Sequence, residues 1–448
     1  MQSDFSVEQR AGCMIQQMRE RLIDPGLCGR HRRRAVDFSR QCRLTFPVLL
    51  LLLLRKSVKS LQARLHELFW ELGGDLSSPS ASALTHARAK LCASVFIELN
   101  QQAVLPVVYG PDHGSLLQRW RGHRLLSVDS SLMRLPTHEA VGERFGWVQC
   151  ANQRGQLERY PQARVSVLYD TLNELALEGR LEPWVRAETE LATEHLGRVQ
   201  AGDVLLTDRG YTGYGWLASV RACGAHFISR ASRGSFAAVQ QLFARNEAGV
   251  SQLVKLSAPG PLRQRCQERG WPVELTVRLV TVRLNSGELE VLVTSLLDEE
   301  RYPTEEFAAI YWRRWKQETY YGRLKGRLDL EHCSGNTVAA VEQDFQAMVL
   351  LSNVESVIIA PAQEQLSART VARQQPAKVN RAVSLHALKS RLIDLLASQR
   401  PVEEVLEELS QWFEANPVSI RSGRLVPRRK PSPSRSYHYQ RRVRKIVF

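Results

Sequence analysis

The chain has 448 residues, 44% of them hydrophobic and 7% aromatic, so it is long enough for two or three cores and too apolar for a disordered polymer. Its formal net charge is +15, from 61 lysines and arginines against 46 acidic residues, which points to a polyanionic partner, nucleic acid first. The eight cysteines include no CxxC pair and no histidine at zinc-finger spacing, which argues against a zinc module and leaves scattered reduced thiols, as expected of a cytoplasmic protein. The N-terminal MQSDFSVEQR holds no apolar signal region. The one leucine run, Val48 to Leu54, is far shorter than the roughly 20 residues that cross a bilayer, so no membrane is expected as a partner.

Residues 1–115 read as a helical, DNA-binding domain. Arg30, Arg32, Arg33 and Arg34 form a basic cluster around His31, and the leucine run that follows suits the buried side of a helix. Val58, Leu61, Leu65, Leu68 and Leu72 then recur at helical spacing up to a break at Gly73 and Gly74. A second helix, capped by Ser80 or Ser82, carries Arg88 and Lys90, which are candidate DNA contacts. The pair is compatible with a helix-turn-helix and equally with a plain helical hairpin bearing a solvated basic face.

From residue 116 to 232 the order is three strands, helix, strand, helix, strand, an α/β pattern that implies a mixed sheet flanked by helices. The strands are HRLLSVDSSLMRL, RVSVLYD, NELALEGRL, DVLLTD and AHFISR. Residues 233–300 form a β-rich insertion, in which VELTVRLVTVRL and ELEVLVTSLL flank the hairpin signal Asn285-Ser286-Gly287. Residues 301–412 return to helix, beginning with a long one from near Thr304 past Lys325. Residues 413–448 form a basic tail, with no acidic residue after position 416, read as a mobile polybasic arm.

The long helix carries the first chemical signal. At about 100° per residue, Tyr311, Arg314, Glu318 and Lys325 fall within an arc of roughly 60° on a continuous helix, and Gly322 lies close beside them. A core-facing stripe would be apolar. This one holds a phenol, a guanidinium, a carboxylate and an ammonium; an exposed face with an Arg314–Glu318 ion pair is the plainer reading. Two aspartates add to it: Asp129 within the strand LLSVD, and Asp208 at the carboxyl end of VLLTD. A carboxylate at a buried strand is costly unless paired or metal-bound. Three clustered carboxylates would need cations to stay ionised, and Mg²⁺ prefers such oxygen ligands. Two ions could serve both ends of a phosphoryl displacement, while Arg314, Lys325 and Arg209 hold the phosphates of the strand being cut.

With these blocks in place the chain resembles the bacterial insertion-sequence transposases of family four, marked by the YREK pattern Y-x2-R-x3-E-x6-K. Here the pattern is Tyr311, Arg314, Glu318 and Lys325; D-R-G-[FY] is Asp208-Arg209-Gly210-Tyr211; and the first-aspartate block is VDSSLMRLP around Asp129. The blocks span about 120–335. SVKSLQARL and SASALTHARAKL resemble the family more loosely. The resemblance implies a ribonuclease-H-like core with an insertion between the second Asp and the Glu. It implies Asp129, Asp208 and Glu318 as catalytic and metal-binding residues for two Mg²⁺ ions, with Mn²⁺ expected to substitute. It also implies cut-and-paste excision, through hairpin ends in characterised relatives, followed by strand transfer. The partners would be double-stranded DNA, both inverted-repeat ends and target, and a second copy of the chain in a homodimeric synaptic complex. Localisation would be cytoplasmic and nucleoid-associated. Tyr311, Arg314 and Lys325 would hold DNA near the cut, and Trp315 matches an aromatic of some relatives. One departure is Glu290, which occupies roughly the place where some relatives stack a flipped base on tryptophan; Trp271 is a candidate substitute. A related nuclease that cuts without joining, and a non-catalytic DNA-binding repressor, are the rival readings.

Overall fold

The computed structural model describes residues 6–74, 77–110, 116–151, 155–284, 287–370 and 376–420. The basic tail expected from 413 therefore lies outside the described residues beyond Ile420, as do Asn285 and Ser286 of the hairpin signal. The described residues divide into two compact units: one drawn from 1–117, 133–163 and 322–448, the other from 118–132 and 164–321. The N-terminal helices, expected as a domain of their own, thus belong to one unit with the C-terminal ones.

The strands are β1 (Leu125–Arg134), β2 (Trp147–Ala151), β3 (Leu157–Asp170), β4 (Leu175–Pro183), β5 (Val204–Thr207), β6 (His226–Arg230), β7 (Ser251–Ser257), β8 (Glu274–Arg283) and β9 (Leu289–Thr294). In the second unit β4 pairs with β3, and the order continues β3-β1-β5-β6-β9-β8-β7. Leaving β2 aside, the five strands β1, β3, β4, β5 and β6, taken in chain order, stand third-second-first-fourth-fifth across the sheet. That is the ribonuclease-H-like arrangement. The β1–β5 and β5–β6 pairs are parallel, and their central residues are buried as continuous apolar runs, as parallel strands covered on both faces require.

The β-rich insertion is not separate from this sheet. β9 pairs antiparallel with β6, and β8 and β7 extend the same sheet outward. β7 and the helices Ala237–Arg245 and Gly260–Glu268, absent from the sequence reading, belong to it. One face of the sheet is sealed by a cluster that includes Leu125, Val204, Ile228, Leu292, Phe307 and Tyr311.

The expected long helix is two. Glu306–Trp312 and Trp315–Gly326 are separated at Arg313 and Arg314. Across the break the amides of Arg313, Arg314, Lys316 and Gln317 each bond the carbonyl three residues back, at 2.9–3.1 Å. This tightening to 3₁₀-type pairing changes the angular bookkeeping, so the arc calculated for one continuous helix does not hold.

In the first unit, Phe46–Leu54 is the core helix that the leucine run predicts, with Leu49 to Leu54 all buried. Ser60 and Ser80 cap the next two helices, and Gly74 ends the first of them at φ +67°. The helix Val338–Ile358 is buried over most of its length. Among the described residues no single helix is long and apolar enough to cross a membrane.

Candidate active site

The β1–β5 register places the two aspartates. Leu125, Leu126 and Ser127 pair with Val204, Leu205 and Leu206, and the same offset continued sets Asp129 level with Asp208 on the neighbouring strand. Strands lie about 4.8 Å apart, so level residues are close neighbours. Asp208 caps the short turn Arg209–Tyr211, accepting from the Gly210 amide at 2.8 Å. Asp129 accepts from the Ser130 amide at 2.8 Å. Burial pushes the Asp129 carboxyl up to about 6, with the nearby Asp208 and Glu188 charges adding to the effect, against the Ser130 hydrogen bond and Arg314.

Glu318 reaches this neighbourhood through Arg314. One guanidinium nitrogen donates to Glu318 Oε1 at 3.1 Å and the other lies 3.9 Å from Asp129 Oδ2. The Arg314 side chain is only 6% exposed, whereas that of Glu318 is 38% exposed. Burial opposes the Arg314 charge, but Tyr311, Glu318 and Asp129 outweigh it and hold its pKa above the ordinary value.

Residues between the motifs fix the helix in place. Gln317 accepts from the Ser127 hydroxyl on β1 and donates to the Val167 carbonyl on β3 at 2.8 Å. One turn on, the Tyr321 hydroxyl donates to the Asp129 carbonyl at 2.7 Å. These two side chains aim the Glu318 helix at β1. Sequence reading missed both; the signal available was a buried-type Gln and Tyr at i and i+4, flanking the acidic residue on a strongly polar helix. Glu188 was also missed. Arg164 pairs with Glu188 and donates to the Ser130 hydroxyl at 3.0 Å, tying that carboxylate to the residue after Asp129.

An all-carboxylate donor set suits a hard divalent cation, and the level aspartates with a third carboxylate nearby fit that chemistry. As arranged here, no three His, Cys, Asp or Glu side chains among the described residues stand close enough together to hold an ion. Arg314, a positive group between Asp129 and Glu318, is what links them instead.

One other constellation has a catalytic outline. Ser166 Oγ lies 3.0 Å from His195 Nε2, and His195 Nδ1 lies 2.6 Å from Glu178. Ser166 and His195 are buried in the protein, so the hydroxyl has no access to a substrate and the trio is a satisfied core network. A cavity of about 1100 Å³ in the first unit, lined in part by Glu8, Arg19, Arg400 and Glu414, contains none of the predicted site residues.

Residues 120–354 match the family described as Transposase DDE domain. The chain belongs to this family. It is 23% identical over 318 residues to the transposase InsG for insertion sequence element IS4 of Escherichia coli, covering 69% of this chain and 68% of that protein. It is 26% identical over 153 residues to the putative transposase y4zB of Sinorhizobium fredii, covering 34% of this chain and 41% of that one. A cryo-EM structure of the piggyBac transposase synaptic complex with hairpin DNA aligns with a TM-score of 0.42 at 11% identity, over 92% of this chain and 86% of that one.

Several expected DNA contacts of this transposase take other places. Arg88 is buried, not on a solvated basic face. Its guanidinium bonds Gln343 at 2.9 Å, Asp344 at 2.9 Å and the Ala340 carbonyl at 3.0 Å, because a buried Asp344 needs a cation. Tyr311 is 3% exposed and packs in the sheet's core cluster, its hydroxyl donating to the Thr207 carbonyl at 3.2 Å. Arg209 is exposed beside Asp208, and Lys90 is half-buried. Lys325, in the other unit, lies 3.6 Å from Glu331. Trp315 lies under the Arg314 guanidinium at 4.8 Å and 5.9 Å from the exposed Trp312 ring. Glu290 is buried and paired with Arg230. Trp271 stacks with Arg269 at 5.1 Å and packs toward the Tyr214–Ala222 helix.

Proposed function

We propose that this transposase cuts DNA at the ends of an insertion sequence and joins them to a target, with Asp129, Asp208 and Glu318 as the ligands of two Mg²⁺ ions, replaceable by Mn²⁺. The level placement of Asp129 and Asp208, with Glu318 tied to Asp129 through Arg314, is the observation that supports it. Bound divalent ions would supply the charge that draws a proton from the attacking oxygen and steadies the leaving one. The chain's own work is orientation. Tyr321 and Gln317 keep the Glu318 helix against β1, and Gln317 also ties it to β3. Arg314 is then free to exchange its carboxylate partners for a DNA phosphate, in the geometry guanidinium groups favour. Arg209 and Lys325 would add phosphate contacts, which position the strand without reading its sequence. Trp315 gives a stacking face beside Arg314. Double-stranded ends and target would be held by two copies of the chain. The hairpin route is the less direct part of this reading, since Glu290, engaged with Arg230, offers no aromatic face.

The test uses the full chain with a supercoiled plasmid carrying the element's ends. Asp129→Asn, Asp208→Asn and Glu318→Gln are each expected to lower Mg²⁺-dependent cutting by more than about 10³-fold while end binding persists, a loss of the size that removing one essential group gives. Full cutting by any one of them would overturn the assignment. Cut ends that never appear joined to a second plasmid would leave a nuclease, and binding with no cutting by the native chain would leave a repressor.

A further inference from the structure

The Tyr211 hydroxyl is buried and has no hydrogen-bond partner among the described residues. The residue is 1% exposed, and its ring packs edge-on against Trp216 at 5.6 Å. A buried O–H left unmet is uncommon, because the group gives up its water bonds for nothing. Its setting suggests why it is tolerated. Tyr211 closes the turn that Asp208 caps, its amide bonding the Asp208 carbonyl at 3.1 Å. Asp129, Glu188, Tyr321 and Asp208 surround it. The hydroxyl is a donor set among carboxylates whose hydrogen bonds and ion pairs go elsewhere: Asp129 to the Ser130 amide and toward Arg314, Asp208 to the Gly210 amide.

We propose that Tyr211 is a positioning residue for the carboxylates of the cutting site, its hydroxyl donating to the outer oxygen of Asp129 or Asp208 once that carboxylate turns to hold a divalent ion. The proposal rests on the reading of Asp129 and Asp208 as metal ligands. Metal-bound carboxylates are commonly steadied by such a donor on the oxygen away from the metal, and losing it typically weakens metal binding by about 10–100-fold.

Tyr211→Phe keeps the ring and removes only the hydroxyl. The full-length, DNA-free protein is titrated with Mn²⁺ alone, free ion being followed by electron paramagnetic resonance, beside Asp208→Asn. Thermal melts are recorded in EDTA and in saturating Mn²⁺. Tyr211→Phe is expected to melt in EDTA at or above the native temperature, since an unmet group has gone, yet to bind Mn²⁺ about 10–100-fold more weakly and gain less on adding it. A hydroxyl that served only the fold would give the opposite sign, a lower melt in EDTA with native Mn²⁺ affinity. If Asp208→Asn loses Mn²⁺ and Tyr211→Phe binds it as the native chain does, the Tyr211 inference fails while the site stands. A native chain that binds no Mn²⁺, or an Asp208→Asn chain that binds it unchanged, overturns both.

Discussion

Arg314 donates to Glu318 at 3.1 Å while remaining 94% buried as a side chain, so the pair is an internal contact and not a surface ion pair of the kind helices carry for solubility. Its other arm lies 3.9 Å from Asp129. A cation already neutralises two of the three carboxylates proposed as metal ligands, so metal and guanidinium would compete. Arg314→Gln is expected to lower the melting temperature in EDTA, because repelling carboxylates lose their counter-charge. It is expected to gain more than the native chain on adding Mg²⁺, since no bound cation has to leave. Differential scanning fluorimetry across a Mg²⁺ titration reads both. Equal gains in the two proteins would mean that Arg314 does not contest the site.

Asp129 gives a pH-dependent prediction. Burial raises its pKa from 3.8 to about 6, so the folded chain holds this proton more tightly than the unfolded one. The ionised form therefore costs stability in full above pH 6, and the cost fades as pH falls toward 4. Asp129→Asn, in EDTA, should be more stable than the native chain by about 1–2 kcal/mol at pH 7.5 and about equal to it at pH 4, allowing for partial solvent access. Urea unfolding at the two pH values checks this. A variant less stable at pH 7.5 would show that the Arg314 contact outweighs the burial of the charge.

The central strands were legible because parallel strands are written as nearly continuous apolar runs, LLSV and VLLT, and an aspartate after each stands out against that background. β2 and β7 were not, because β2 is mostly half-buried and β7 mostly exposed, and they carry Cys150, Gln149, Gln252 and Lys255 among their apolar residues, which blurs any alternation. The helix break at Arg314 escaped for another reason: periodicity records which residues share a face and is blind to a local change from four-back to three-back hydrogen bonding. Arg88 and Tyr311 show a third limit. A guanidinium that matches a buried Asp344, or a phenol that reaches the Thr207 carbonyl, reads in sequence the same as one aimed at DNA.

Arg88 separates those two roles experimentally. Asp344 is fully buried, and although burial works against its charge, Arg88 first and then Lys56 hold its carboxyl below the usual range. Arg88→Ala would leave that carboxylate with Lys56 at 3.8 Å and the Ser334 hydrogen bonds. Breaking a buried pair from one side commonly costs about 3–5 kcal/mol. The expected result is a protein with a much lower urea midpoint at neutral pH, whereas Lys90→Ala, two residues on, should unfold at the native midpoint. If Arg88→Ala folded with native stability and lost only DNA affinity, the buried pairing described here would be wrong.

Gly142 tests the packing beneath β2. It lies in the helix Glu139–Phe145, and a Cβ added there would fall 1.9 Å from the Trp147 ring. That ring has little room to yield. Arg159 stacks on it at 4.3 Å, and the Trp147 backbone is registered against Pro161 on β3. In an open helix Gly→Ala would add about 1 kcal/mol of stability through propensity alone. Forcing a methyl into a filled site costs typically 1–3 kcal/mol, so the contact decides the sign. Gly142→Ala is expected to lower the urea midpoint with an unchanged m-value. Gly142→Ala combined with Trp147→Ala, which removes the obstructing ring, should be no less stable than Trp147→Ala alone. If the double variant is still destabilised relative to Trp147→Ala, the glycine is required for something other than the close approach of that indole.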